Sequence, residues 1–212
     1  MGSITENFSS LSDVLKTDYA AHQLPGREIL STRLLHSLLP ASFRHAKGQL
    51  IDVKDRVAGP FDIVACADAF PTLGDGIAHQ FLADGVALCI QVRNWKEEDL
   101  TQFASIADQL KQLERKKKAP IFCAVVGFDN MSANQVSEFM KSTAGKSIDG
   151  ILSVGEHVII RNTQGWYGNA QKIPFVTAQG SGESLKSFAF WVVQIAQTYL
   201  GQPYSLSDYQ HL

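Results

Sequence analysis

The sequence is poor in cysteine, in clustered histidine and in charge of either sign. Of its 212 residues three are cysteine and 19% are charged, and the formal net charge is -2. Three is an odd count, and Cys66, Cys89 and Cys123 each sit inside an apolar run (IVACAD, VALCIQV, IFCAVV). Buried free thiols in a reducing compartment are therefore expected, not a disulfide framework. The six histidines (His22, His36, His45, His79, His157 and His211) include no pair at metal-ligand spacing, which argues against a zinc centre. No apolar run approaches the roughly 18 residues that a membrane span needs. The opening MGSITENFSSLSDVLK lacks a basic n-region and an apolar h-region, and Glu6 stands where myristoylation requires Ser or Thr. The expectation is a cytoplasmic protein with no membrane partner. The basic surplus of most nucleic-acid-binding domains is missing too. The basic run Arg115-Lys116-Lys117-Lys118 reads as a helix C-terminus whose cations suit the dipole, with phosphate contacts as the other option.

What is present suits a packed core. Hydrophobic residues make up 45% of the chain, enough for one domain of ordinary size. No repeat, low-complexity segment or linker interrupts it. Residues 1–212 read as one α/β unit, with a core over about 25–130 and a C-terminal extension over about 131–212. An amphipathic helix is expected from about Phe8 to His22. A second opens at Pro25, carries Ile29, Leu30, Leu34, Leu35 and Leu38 at helical spacing, and stops at Pro40. Strands are expected at Gly48–Val53, at Phe61–Ala67 (entered through a Gly59-Pro60 turn) and at Val86–Val92, the last apolar on both faces. A helical stripe then runs from Lys96 to Lys117 through Leu100, Phe103, Ile106, Ala107, Leu110 and Leu113. Pro120–Phe128 returns to an apolar strand. Ser132 caps the next helix, which Gly145 ends. Two short strands follow within Gly150–Ile160, and Ser184–Leu200 forms a last helix. A strand, a long helix and another apolar strand imply a mixed central sheet flanked by helices on both faces.

Chemistry concentrates at three places. Asp62 begins an apolar strand, where a carboxylate is costly unless solvated, hydrogen-bonded or metal-bound. Gln91 and Arg93, two residues apart in CIQVRNW, share one face of a central strand at its end, where open α/β sheets collect ligands. Glu28 shares a helix face with Leu24, Thr32 and Leu35 and so points partly inward. The glycine turns Gly74-Asp75-Gly76 and Gly180-Ser181-Gly182 lack phosphate-loop or dinucleotide spacing and read as loops. Trp95 and Trp166-Tyr167 read as edges of the core, with base stacking as the alternative. No Ser or Cys has a sequence-identifiable His partner for a hydrolase triad.

A helix Glu, an Asp on one strand and a (D/E/Q)-x-K on the next resemble the PD-(D/E)XK nuclease core. More closely, Gly26 to about Leu113 resembles a group of uncharacterised bacterial nuclease-like domains. The five landmarks are Gly26-Arg27-Glu28, Leu39-Pro40-Ala41-Ser42-Phe43, Gly48-Gln49-Leu50-Ile51-Asp52, Phe61-Asp62-Ile63-Val64 and Gln91-Val92-Arg93. The resemblance implies a restriction-endonuclease-like core and a magnesium- or manganese-dependent phosphodiesterase. Its partner would be nucleic acid, DNA before RNA, in the manner of prokaryotic defence nucleases; a homo-oligomer or partner protein stays open. Carried over by position, Glu28, Asp62 and Gln91 are the metal ligands, and Arg93 takes the place of the lysine. Both altered positions bear on activity. Gln91 offers a carbonyl oxygen without charge, and Arg93 keeps its charge but cannot give up a proton. Two alternatives stand beside the nuclease: an inactive nuclease fold that binds nucleic acid or protein, and a purely structural Asp62–Gln91–Arg93 network.

Overall fold

Strand β5 (Val86–Arg93) explains the architecture. Its residues Val86 to Gln91 are all buried, and only Val92 and Arg93 reach partial exposure. A run that apolar needs cover on both faces, and it has it. The computed structural model describes residues 3–21, 25–74, 79–93, 97–117, 119–129 and 131–201. Beside β5 lie β2 (Val57–Ala67), antiparallel, and β6 (Phe122–Gly127), parallel. Beyond β2 come β1 (Phe43–Ile51), β4 (His79–Leu82) and β3 (Thr72–Leu73); beyond β6 come β7 (Gly150–Ser153), β8 (His157–Arg161) and β9 (Phe175–Gln179). The nine strands form one mixed sheet in the order β3-β4-β1-β2-β5-β6-β7-β8-β9.

Alternation along β5 assigns the two layers. Leu88 and Ile90 join the cluster under α1 (Ile4–Ala20), α2 (Gly26–Leu30) and α6 (Ser181–Leu200), with Leu15, Ile29, Phe188 and Trp191 at its centre. Cys89, between Leu88 and Ile90, joins the opposite cluster, under α4 (Glu97–Lys111) and α5 (Ala133–Lys141), with Phe103, Leu110, Val136 and Met140. Each such side chain, fully buried, contributes about 1.5–3 kcal/mol. The fold is therefore α/β with helices on both faces, as the sequence implies. All three thiols are buried and free. Among the described residues no helix is long and apolar enough to cross a membrane.

Several expected boundaries move, each for a local reason. Helix α1 begins at Ile4 because Ser3 and Glu6 form a reciprocal capping box (Glu6 N to Ser3 Oγ 3.2 Å, Ser3 N to Glu6 Oε2 2.6 Å), four residues before the apolar periodicity starts. Helix α2 runs into a π-helical turn, Ser31–Leu35, and on into α3 (His36–Leu38); Pro40 follows two residues later. Gly59-Pro60 does not precede the FDIV strand but lies inside β2, as a cis peptide with Gly59 at φ 123°. Helix α4 stops at Lys111, so Arg115–Lys117 follow the helix instead of ending it. There Arg115 Nη1 donates to Ala119 O (2.7 Å), and Lys117 Nζ sits 3.3 Å from the centre of the Tyr199 ring. Ser132 caps α5 as expected, accepting from Gln135 N at 3.2 Å. The helix ends at Lys141, and Gly145 lies in the 3-10 turn that follows. Gly180 caps α6 at φ 88°, so the Gly-Ser-Gly segment is a helix start. Trp166 packs on Phe122, 5.3 Å between ring centres, and Tyr167 is half-buried against the same cluster, both at the core edge. His22, Leu24, Asp75, Gly76, Trp95, Lys96, Lys118 and His211 lie outside the described residues.

Candidate active site

The site is built around a break in strand register. Ala46 pairs with Val64 and Gly48 with Phe61, so Asp62 and Ile63 of β2 oppose the single residue Lys47 of β1. Such a bulge re-aims side chains. Gly48 is needed beside it, since a Cβ there would lie 2.3 Å from the carbonyl oxygen of His79. On its other side β2 pairs with β5 through Ile63↔Ile90. One step further, the Asp62 side chain takes over from the backbone: its Oδ2 accepts from Val92 N at 2.9 Å. The same oxygen accepts from Arg93 Nη1 at 3.1 Å, and Arg93 Nη1 also donates to Val92 O at 3.0 Å. Asp62 is 17% exposed at its side chain and Arg93 40%. A pair this open to water contributes little to stability by itself.

Gln91 is buried, and its Oε1 has no hydrogen-bond partner among the described residues. By strand alternation it shares the α4–α5 face with Cys89 and Arg93. A buried amide oxygen without a donor is uncommon, because forgoing its solvation costs roughly 1–3 kcal/mol. Glu28 belongs to the helix on the opposite face. The N-terminus of that helix is pressed against the end of β5: a Cβ at Gly26 would meet Val92 Cγ1 at 3.0 Å and Phe128 Cε2 at 2.9 Å. Glu28 Oε1 accepts from Arg27 Nη2 at 3.2 Å. Among the described residues it bonds to none of Asp62, Gln91 or Arg93. The structure thus joins Asp62 to Arg93, sets Gln91 one strand step away, and leaves Glu28 on the helix of the other face, its carboxylate 43% exposed and paired with Arg27.

These groups suit a hard divalent cation by donor type, since all three candidate ligands offer oxygen. Asp62 has a second carboxylate oxygen unbonded among the described residues, and Gln91 Oε1 is an acceptor waiting for a positive partner. No group of three or more His, Cys, Asp or Glu side chains able to hold a metal occurs among the described residues.

Asp52, the last residue of the third landmark, has a different task. It is buried, and its two oxygens accept from Lys54 N (2.8 Å), Arg56 N (3.0 Å), Arg56 Nε (2.8 Å) and Glu114 N (2.8 Å). This ties the β1–β2 connection to the segment after α4. Burial alone would push the carboxyl up; the Glu114, Arg56 and Lys54 amides and the Arg56 guanidinium outweigh it and hold the group well below the usual carboxylate range. A folded-state value below the unfolded one of about 3.9 gives stability that is full above pH ~4 and lost as pH falls through the folded value. The wild type should therefore lose melting temperature between pH 4 and 2 more steeply than Asp52→Asn. Parallel curves for the two proteins would contradict that.

A helix-flanked mixed sheet, with a bulged Asp strand beside its central strand, is an architecture shared with solved structures. The particular structures it resembles are those of NucC. The cAAA-bound form of P. aeruginosa ATCC27853 NucC aligns with a TM-score of 0.76 and 11% identity, over 94% of this chain and 92% of that one. The cAAA-bound form of E. coli MS115-1 NucC gives 0.75 and 14% over the same shares. Its apo form gives 0.72 and 13%, over 92% of each chain. At these identities the likeness is one of fold. No family model matches the sequence, and no curated protein matches it.

Sequence reading found the Asp62–Arg93 pair. It missed the Val92 amide as the second partner of Asp62, because a backbone donor leaves no trace in residue identity. It also passed over His157 as one scattered histidine among six.

Proposed function

We propose that the chain is a divalent-metal-dependent DNA phosphodiesterase of the prokaryotic defence type, acting in the cytoplasm as a homo-oligomer or with a partner protein. The observation that carries the reading is the meeting of Asp62 and Arg93 at the end of β5, on a fold shared with NucC. Asp62, Gln91 and Glu28 would hold magnesium or manganese, which when bound supplies a nucleophilic water and charge for the phosphate. Arg93 is the residue for the phosphate itself: its planar fork binds two oxygens at once, and its charge is permanent at every working pH. The Val92 amide keeps Asp62 aimed while Arg93 turns from the carboxylate to the substrate.

One observation favours a second reading, an inactive nuclease fold that binds nucleic acid or protein. Arg93 already neutralises Asp62, so a cation entering must displace a tethered guanidinium. Plasmid cleavage separates the two. Activity should be absent in excess chelator and greater with manganese than with magnesium, because a site short of one carboxylate suits a metal less demanding of anionic ligands. The assay is run with and without cAAA, since two of the similar structures hold it. Cleavage that survives the chelator would rule out the metal-dependent reading, and no cleavage under any condition would leave the binding module.

A further inference from the structure

A second cleft lies on the same sheet. Arg93 is opposite Gly127, Gly127 opposite Ser153, and Ser153 opposite His157. These four share one cross-strand row and one face, so His157 stands three strand spacings from Arg93, roughly 14 Å. Beside it opens a cleft of about 520 Å³, lined among others by Ser132, Ala133, Glu156, His157 and Gly180.

We propose that this cleft is a phosphate-binding site, for a phosphomonoester or phosphodiester group. Two helices begin at it. The first-turn amides of a helix have no acceptor within it; Ser132 Oγ takes up that of Gln135 in α5 and leaves those of Ala133 and Asn134. In α6, Gly180 has no side chain to cap with, and a Cβ built there would meet nothing within 4 Å. The positive end of the 9-residue helix α5 thus faces the cleft, with the N-cap glycine of the 20-residue α6 at its rim, an arrangement that favours an anion.

The independent observation is His157. The residue lines the cleft and is 4% exposed, and its Nε2 has no hydrogen-bond partner among the described residues. Buried ring nitrogens are normally satisfied, and a ligand oxygen in the cleft would satisfy this one. Burial lowers the imidazole below its ordinary value, so at neutral pH the ring offers a hydrogen bond and no charge. The contrary groups are the Glu156 carboxylate, with Lys16 of α1 3.1 Å from it, and Glu183 in the first turn of α6, paired with Lys186 at 2.8 Å. An arriving anion meets countered charges and the start of α5.

The phosphate could belong to a separate small ligand or to the nucleic acid that Arg93 contacts. Titration calorimetry on the full chain, in chelator, with inorganic pyrophosphate and with a short single DNA strand, tells these apart. Because no metal is present, the outcome is independent of whether the Asp62 site cleaves. Binding of pyrophosphate identifies a small ligand; binding of the DNA strand alone identifies the substrate's own backbone. For whichever probe binds, Ser132→Asp, which caps a helix as well as serine does but places a carboxylate at the cleft, should weaken affinity about ten-fold. His157→Gln should weaken it about five-fold, the worth of one hydrogen bond, with the melting temperature of both variants near the wild type's. Failure of the wild type to bind either probe, or wild-type affinity in Ser132→Asp, would overturn the proposal.

Discussion

Asp62→Ala is expected to reduce manganese-dependent DNA cleavage by about a thousand-fold, the scale on which a transition-state charge contact is lost. The substitution does two things at once. It deletes the carboxylate that would hold the metal, and it strands the donors now bonded to it, the Val92 amide at 2.9 Å and Arg93 Nη1 at 3.1 Å. The stranded amide adds a stability loss of about 1 kcal/mol, seen as a melting temperature lower by roughly 2–4 °C in a chain of this length. Asp62→Asn separates the effects. Its carbonyl oxygen still accepts from Val92, so stability should stay near the wild type's while cleavage is lost. Equal cleavage in Asp62→Asn and wild type would show that the carboxylate has no chemical part.

The second large effect is a gain. Gln91→Glu combined with Arg93→Lys restores the E-V-K pattern of the nuclease-like domains and should raise metal-dependent cleavage about ten-fold or more over wild type. The gain should exceed the sum of the single changes. Gln91→Glu alone places a carboxylate beside Arg93, where the ion pair competes with the metal. Arg93→Lys alone restores a group able to orient water next to a ligand set still lacking charge. Non-additivity of this kind marks groups that act as one unit. If the double variant binds manganese, cleaves neither DNA nor RNA and melts lower than wild type, the Gln91–Arg93 pair serves to hold the sheet and the binding-module reading stands.

The central fold was readable because its signals are strong and local. A strand apolar from Val86 to Ile90, a long amphipathic helix and a second apolar strand fix β5, α4 and β6, and Ser132 announces α5 by a side-chain bond that the sequence specifies. The sheet margins were not. β3 and β4 are two and four residues long, too short for a period to show. β9 (FVTAQ) is defined by its pairing with β8, not by an apolar period of its own. Gly59-Pro60 carries every local mark of a turn, yet β1 pairs with β2 on both sides of it and carries the strand through. In the site, two-residue spacing placed Gln91 and Arg93 on one face, and that holds. The direction of Glu28 could not follow from helix phase, because its nearest cation, Arg27, is its chain neighbour.

The most direct measurement of the account is anomalous diffraction from crystals grown with manganese. A peak at about 2–2.3 Å from an oxygen of Asp62, with Gln91 Oε1 in the same shell and Arg93 turned away, is the predicted result. Crystals saturated with manganese that show no peak there, with Arg93 still bonded to Asp62 as now, would contradict it.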